Sequence, residues 1–155
     1  MQEVLQIAEK YGVILCAEPE VSNVVDSAVK ARRLLDEMQS SNLKIVMDAA
    51  NLFHNGELPR MNEILEQAFQ LLGDDIILAH AKDLSRDRRS GMVAAGRGLL
   101  DYDRYIDLLR AHVYKGPLIL HSLGEDQVDQ SVAFLRSKLS GTHTNRCGTA
   151  DDQGV

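Results

Sequence analysis

Residues 75–80 read DIILAH, a short apolar run that ends in a histidine. Three more runs have the same form, at residues 13–17 (VILCA), 43–47 (LKIVM) and 117–120 (PLIL). Short and almost continuously apolar segments are typical of strands that are covered on both faces of a parallel sheet. We therefore predict four parallel strands in sequential order, near residues 13–18, 43–48, 75–80 and 116–121.

A helical pattern of apolar residues follows each run, and residues 1–12 form an amphipathic segment before the first one. Each later helix has a predicted start signal. Asn23 and Asp101 are expected as side-chain caps, Pro59 as a first-turn proline, and Ser122 as the start of a capping box.

The pattern predicts a leading helix and four βα units, with the helices on one face of the sheet. Right-handed βα repetition gives either a barrel or a doubly wound open sheet. A closed barrel of eight units needs ~250 residues, so this chain of 155 residues holds about half of one. Residues 1–139 are expected to form this half-barrel, and residues 140–155 to be a disordered tail because they lack apolar periodicity.

The composition excludes several functions. A net charge of −6 gives the chain no general attraction to nucleic acid or to an anionic membrane. No apolar run approaches the ~18 residues of a membrane span, and the acidic N-terminal helix is unlike a signal peptide. Cys16 lies in an apolar run and is interpreted as a buried thiol, and Cys147 as incidental. A reducing, cytoplasmic location is expected.

Chemically active residues recur where the strands end. The four runs are followed by Glu18, Asp48, His80 and His121. Active sites of βα barrels lie at this C-terminal rim, and carboxylates with imidazoles suit Mn²⁺, Zn²⁺, Mg²⁺ or Co²⁺. Any one of these residues alone is more often a helix cap or a solvated loop residue than part of a site. Their recurrence at every strand end favours a metal site.

Other polar residues follow the same strands. Lys82 is a candidate for neutralising a substrate oxyanion or phosphate, or else a solvated lysine, and Asp83 is expected to orient its neighbours. Residues 85–98 are long for a βα connection. They form either a lid that carries Arg97 to the substrate or a solvated basic loop. His54 is a candidate substrate contact, or simply a surface residue.

In these residues the sequence resembles the xylose-isomerase-like barrel superfamily of sugar phosphate isomerases and epimerases. The resemblance covers roughly residues 1–139 and corresponds to the family's strands five to eight. The matching segments are residues 18–19 (EP), 47–53 (MDAANLF), 80–83 (HAKD), 96–102 (GRGLLDY) and 116–120 (GPLIL).

The resemblance implies that Glu18, Asp48 and His80 are metal ligands, with Glu18 also a candidate base. Asn51 stands where many members have a histidine, and is expected to support the ligands together with Asp83. His121 stands where the family usually has a glutamate that binds metal and moves a proton, so His121 is a candidate for both roles.

The implied function is metal-dependent isomerisation or epimerisation of a sugar, sugar phosphate or keto-polyol. A proton next to a carbonyl is removed, and the metal stabilises the resulting enediolate. One alternative is phosphodiester hydrolysis like that of the related apurinic-site endonucleases. Another is an inactive half-barrel that only associates with partners. Because strands one to four are absent, we expect a homo-oligomer or a separately supplied N-terminal half, and an enzyme only within a complete barrel.

Overall fold

The computed structural model describes residues 1–85 and 92–141 of the chain. Helices and strands alternate along it, except for two successive strands after the third helix, and their bounds are as follows. The order is α1 (Gln2–Tyr11), β1 (Leu15–Ala17), α2 (Ala28–Met38), β2 (Leu43–Asp48), α3 (Met61–Leu72), β3 (Ile76–Leu84), β4 (Met92–Ala94), α4 (Tyr102–Ala111), β5 (Leu118–Leu120) and α5 (Val128–Ser140). The predicted tail beyond residue 141 lies outside the described residues.

The sheet confirms the predicted parallel strands in sequential order. β1 pairs with β2, β2 with β3, and β3 with β5, all in parallel. The register places Asp48 beside His80, and His80 beside Ile119. The C-terminal ends of the four parallel strands therefore meet at one edge, as half of a βα barrel requires.

One strand was not predicted. β4 lies within residues 85–98, which were interpreted as a lid or a solvated loop, and it pairs antiparallel with Lys82–Leu84 of β3. This pairing explains why β3 continues to Leu84, four residues beyond its predicted end. Residues 86–91 of the expected lid lie outside the described part of the chain.

The starts of two helices correct the predicted caps. α2 begins after Ser27, whose hydroxyl accepts a hydrogen bond from Lys30 N. Asn23 instead donates to Glu20 Oε2 at 3.1 Å in the preceding loop. Before α5, the capping contact is between Gly124 N and Gln127 Oε1, at 3.1 Å, and does not involve Ser122. The Asp101 cap of α4 is confirmed by its hydrogen bond from Arg104 N at 2.9 Å.

The two faces of the sheet differ in cover. Side chains alternate along a strand, and those on one face, such as Ile45 and Met47, are buried with Leu65, Phe69 and Tyr105 of the helices. Cys16, on the opposite face, is exposed, so the predicted buried thiol is wrong. The apolar run around Cys16 was interpreted as covered on both sides, whereas the helices of the described residues cover one side.

No helix within residues 1–85 and 92–141 has the length and apolar character that crossing a membrane requires.

Candidate metal centre

Three of the predicted ligands converge at the C-terminal edge of the sheet. Glu18 directly follows β1, Asp48 ends β2, and His80 lies in β3. One ligand atom from each lies within 4.8 Å of the others. Parallel pairing of β1, β2 and β3 brings together residues that are 30 or more positions apart in the sequence.

The imidazole of His80 faces both carboxylates. Its Nδ1 lies 3.2 Å from Glu18 Oε1 and 3.5 Å from Asp48 Oδ2. Two carboxylate oxygens and one imidazole nitrogen within 4.8 Å of one another are a donor set that suits Mn²⁺, Zn²⁺ or Co²⁺.

Asp48 is the most enclosed member, at 1% exposure. Its Oδ1 accepts a hydrogen bond from Ala50 N at 3.1 Å. Its Oδ2 lies 3.1 Å from the ammonium of Lys82, yet among the described residues it has no well-aligned hydrogen bond. Burial raises the pKa of Asp48, and the neighbouring Lys82 opposes that shift. A buried carboxylate oxygen with unused acceptor capacity fits a further cation.

Lys82 is itself buried, at 6% exposure, and its ammonium contacts Asp48. The alternative of a solvated lysine is therefore wrong. The second predicted role, contact with a substrate anion, remains a prediction.

Asn51 supports Glu18. It belongs to a short 3₁₀ helix, Ala49–Leu52, that directly follows β2. Its Nδ2 donates a hydrogen bond to Glu18 Oε1 at 3.0 Å. Its Oδ1 is buried and has no hydrogen-bond partner among the described residues. Asn51 thereby helps to fix the carboxylate of Glu18 beside His80.

Two tyrosines of α4 hold the strand backbones beneath the ligands, and sequence reasoning missed both roles. The hydroxyl of Tyr105 lies 3.1 Å from Met47 O and 3.2 Å from His80 O, and its single proton is shared between these two carbonyls. The hydroxyl of Tyr102 donates to Lys82 O at 2.9 Å. Burial raises the pKa of Tyr105 well above its ordinary value, so its hydroxyl keeps its proton. A tyrosine within the apolar stripe of a predicted helix is the sequence signal for such a role, because a buried hydroxyl needs a hydrogen-bond partner.

His121 lies beside the three ligands but outside the group within 4.8 Å. Its ring stacks on that of His80, with centroids 4.9 Å apart and planes 5° from parallel. Its Nδ1 lies 2.9 Å from Ser122 Oγ. The predicted role of His121 as a fourth ligand stays a prediction.

Asp83 organises the segment after β4. Its carboxylate accepts hydrogen bonds from the backbone N–H groups of Leu84 and Leu100 at 2.8 Å, Gly96 at 3.1 Å and Gly98 at 3.0 Å. A Cβ at Gly98 would lie 2.2 Å from Leu84 O, so this close approach requires glycine. These hydrogen bonds orient the backbone of residues 84–100, and the support of the metal ligands expected of Asp83 stays a prediction.

Arg97 and His54 line separate cavities. Arg97 Nη2 donates to Gln130 Oε1 at 2.6 Å, and Arg97 borders a cavity of about 510 Å³ with Ser122 and Gln127. His54 is exposed and borders a cavity of about 140 Å³ with Phe53, Leu58, Leu84 and Met92. Their predicted substrate contacts remain predictions.

The sequence profile of the xylose isomerase-like TIM barrel family matches residues 1–138. The chain belongs to this family. No curated protein sequence matches the chain significantly.

Solved structures of similar fold include several that are named for sugar chemistry. A D-tagatose 3-epimerase-like protein superposes with a TM-score of 0.71 at 19% identity, covering 88% of this chain and 51% of that one. A xylose isomerase domain protein from Planctomyces limnophilus gives 0.65 at 23% identity, covering 89% and 49%. The IolI protein with a bound zinc atom gives 0.67 at 20% identity, covering 90% and 53%. These solved structures share the fold of this chain, and the chain spans about half of their length.

Proposed function

We propose that this chain supplies the metal-binding half of a sugar isomerase or epimerase. The observation that carries the proposal is the convergence of Glu18, Asp48 and His80 within 4.8 Å at the ends of three adjacent parallel strands. The neighbours named as epimerases, and the one with a zinc atom, support the same reading.

Glu18, Asp48 and His80 would hold a divalent cation, namely Mn²⁺, Zn²⁺, Mg²⁺ or Co²⁺. A bound cation would supply positive charge that stabilises the oxyanion formed when a proton leaves the carbon next to a carbonyl. Lys82 adds a second positive charge to the same region through its contact with Asp48 at 3.1 Å.

Glu18 is the proposed base. Its side chain is 33% exposed, in contrast to that of Asp48, so a substrate can reach it. Asn51 and His80 both contact Glu18 Oε1, which leaves Oε2 as the oxygen available to take a proton.

His121 is the proposed proton partner on the neighbouring strand, because its ring is exposed and lies against His80. Arg97 and His54 are proposed to contact the more distant substrate groups from their cavities. A phosphate on the substrate would meet Arg97.

The first experiment is a calorimetric titration of the metal-stripped chain with Mn²⁺, Zn²⁺, Mg²⁺ and Co²⁺ in turn. One site per chain is expected for at least one of these ions. Glu18→Gln should weaken binding about 10-fold or more, while Glu3→Gln, a matched change on the exposed face of α1, should not. Unchanged binding in Glu18→Gln would remove Glu18 from the site.

The second experiment incubates the metal-loaded chain with D-tagatose, D-fructose or L-ribulose and separates the products by chromatography. Conversion that depends on metal and on Glu18 supports the isomerase or epimerase. Incision of abasic DNA without sugar conversion would favour the hydrolase alternative. Metal binding with neither activity is the result expected of a half-barrel that is inactive alone.

A further inference from the structure

The pairing of β2 with β3 shifts by one residue on the N-terminal side of the metal centre. Ile45 pairs with Ile76, but the next residue of β2, Val46, pairs with Leu78. Ile77 is therefore an extra residue in β3, which makes a β-bulge, and it is 36% exposed. A bulge redirects the side chains that follow it, and bulges recur next to functional sites.

The bulge decides which face of the sheet His80 occupies. With the shift, Asp48 pairs with His80. A regular continuation from the pair of Ile45 and Ile76 would instead place Asp48 opposite Ala79. Because a slip of one residue moves every following side chain to the other face, His80 would then point toward the helices. The shifted register therefore brings the imidazole to the face where it lies 3.5 Å from the Asp48 carboxylate.

One hydroxyl of α4 contacts both strands just beyond the bulge. Tyr105 is 0% exposed, and its hydroxyl lies 3.1 Å from Met47 O on β2 and 3.2 Å from His80 O on β3. Its ring packs edge-on against Phe69 of α3, with centroids 5.9 Å apart. Packing between the two helices thus holds the hydroxyl at a fixed position against the two strand backbones.

The contact of Tyr105 depends on the register of β3. A slip of one residue would move His80 O by ~3.3 Å, which takes it out of hydrogen-bond distance of the fixed hydroxyl. The carbonyl that replaces it would point away, because successive carbonyls along a strand point in opposite directions. The slip would thus cost the hydroxyl its contact with β3, and lost hydrogen bonds between buried groups are unfavourable.

A second hydroxyl of α4 holds β3 two residues further along. Tyr102 lies one turn before Tyr105, is 2% exposed, and donates a hydrogen bond to Lys82 O at 2.9 Å. The side chains of His80 and Lys82 both face Asp48. The two tyrosines therefore fix the backbone of β3 at the two residues whose side chains contact that carboxylate.

We propose that Tyr105 is a positioning residue of the metal centre. Its hydroxyl stabilises the shifted register that brings His80 beside Asp48, and in this way it sets the affinity of the site for metal. Tyr105 acts from the helix side of the sheet, through the backbones of both strands. The inference rests on the proposed function only in taking Asp48 and His80 as metal ligands.

The first test is Tyr105→Phe, which removes one oxygen and keeps the ring packed on Phe69. In calorimetric titration of the full chain with Co²⁺, the affinity should fall about 10-fold or more, as expected when the support of a ligand is lost. The visible absorption spectrum of bound Co²⁺ should also change, because the ligands are displaced.

Tyr114→Phe is the matched control. The Tyr114 hydroxyl also donates to a backbone carbonyl, Pro117 O at 2.7 Å, but it does so just before β5 begins, away from the metal centre. The Co²⁺ affinity and spectrum of Tyr114→Phe should match those of the unchanged chain. If Tyr105→Phe also leaves the Co²⁺ affinity unchanged, the proposal is overturned.

Leu109→Ala separates positioning from general destabilisation. Leu109 lies one turn after Tyr105 on α4, and its apolar side chain is 5% exposed. Its truncation should destabilise the chain to urea at least as much as Tyr105→Phe does, since it leaves a cavity in the core. The Co²⁺ affinity should nevertheless stay within about twofold, and the spectrum should not change. Equal losses of affinity in the two variants would overturn the proposal.

Amide hydrogen exchange tests the register without metal. In the metal-free chain, the amides of residues 78–81 should exchange about 10-fold faster in Tyr105→Phe than in Tyr114→Phe. In Leu109→Ala any increase should spread evenly over the sheet. Unchanged exchange at residues 78–81 in Tyr105→Phe would overturn the proposal. Faster exchange there, in a chain that binds no Co²⁺ even when unchanged, would support the register role and refute only the proposed function.

Discussion

Two ionic clusters lie at opposite ends of the same strands and differ in how their charges balance. At the N-terminal end, Asp75 is held by Arg32 Nη1 at 2.9 Å and Lys44 Nζ at 2.7 Å. At the C-terminal end, the ammonium of Lys82 lies 3.1 Å from Asp48, and a second carboxylate, that of Glu18, lies in the same group.

The difference in charge balance between the two clusters is reflected in the pKa of each aspartate. Partial burial opposes ionisation of Asp75, but hydrogen bonds from Lys44 and Arg32 outweigh it and lower its pKa. At Asp48 burial prevails over Lys82 and raises the pKa. The N-terminal cluster is complete with the chain's own side chains. Among residues 1–85 and 92–141, the C-terminal cluster has one ammonium group for two carboxylates, and this is the physical argument for a further cation there.

The strongest test of this contrast removes one aspartate at a time. Asp48→Asn should lower the affinity for the preferred divalent ion more than about 100-fold, because it removes the most buried ligand. Asp75→Asn should leave the affinity within about twofold, since Asp75 lies at the far end of the strands. Calorimetric titration of both variants measures the difference. Equal losses would show that the affinity reflects overall stability and not a ligand.

The next test removes the cation of each cluster. Lys82→Met leaves Asp48 buried without its counter-charge and should lower the free energy of unfolding by about 3 kcal/mol without metal. Lys44→Met should cost about 1 kcal/mol, because Arg32 still neutralises Asp75.

Urea denaturation with and without the divalent ion completes this comparison. Added metal should recover most of the stability that Lys82→Met loses, since it supplies the missing positive charge, and none of the loss in Lys44→Met. If metal rescues neither variant, Lys82 and the metal do not serve the same carboxylate.

The strand order and the convergence of the three candidate ligands could be predicted from the sequence because both follow from one repeating pattern. Each apolar run predicted a parallel strand, and the C-terminal ends of parallel strands share an edge. Glu18, Asp48, His80 and His121 were therefore expected together from their positions alone, and His121 lies outside the group that the structure forms. The structure brings Glu18, Asp48 and His80 within 4.8 Å.

The details that failed depend on contacts between distant segments. β4 forms because Met92–Ala94 pairs with the C-terminal end of β3. A segment of three residues is too short for its own apolar pattern to predict this pairing. The burial of Lys82 follows from its pairing with Asp48 on another strand. Ser27 and Asn23 are equally good caps by residue type, and only packing of α2 decides between them.

A third test uses pH. The pKa of Asp75 is lowered in the folded chain, so its contribution to stability is present above the unfolded pKa and is lost as pH falls through the folded value. Asp75→Asn should therefore cost about 1–2 kcal/mol near neutral pH and progressively less in acid. Urea denaturation from about pH 7 down to about pH 3 measures this. A constant difference across the range would mean that Asp75 stabilises the fold without its charge.

The smallest expected effect concerns His121, the strand-end residue that lies outside the group of three. Its ring stacks on His80 and its Nδ1 contacts Ser122, so it reaches the site through its neighbour's ring. His121→Ala should change metal affinity no more than about threefold, which is less than the ~10-fold typical of a residue that directly supports a ligand.

His121→Glu replaces the imidazole with a carboxylate, the residue type that divalent ions of this class also accept. This change should raise the affinity for metal if the side chain at position 121 can reach the ion. Calorimetric titration of these two variants and of His80→Ala distinguishes a His121 that binds the metal from one that contacts only His80. A loss in His121→Ala as large as that in His80→Ala would make His121 a fourth ligand, and the site would then have two residues of each type.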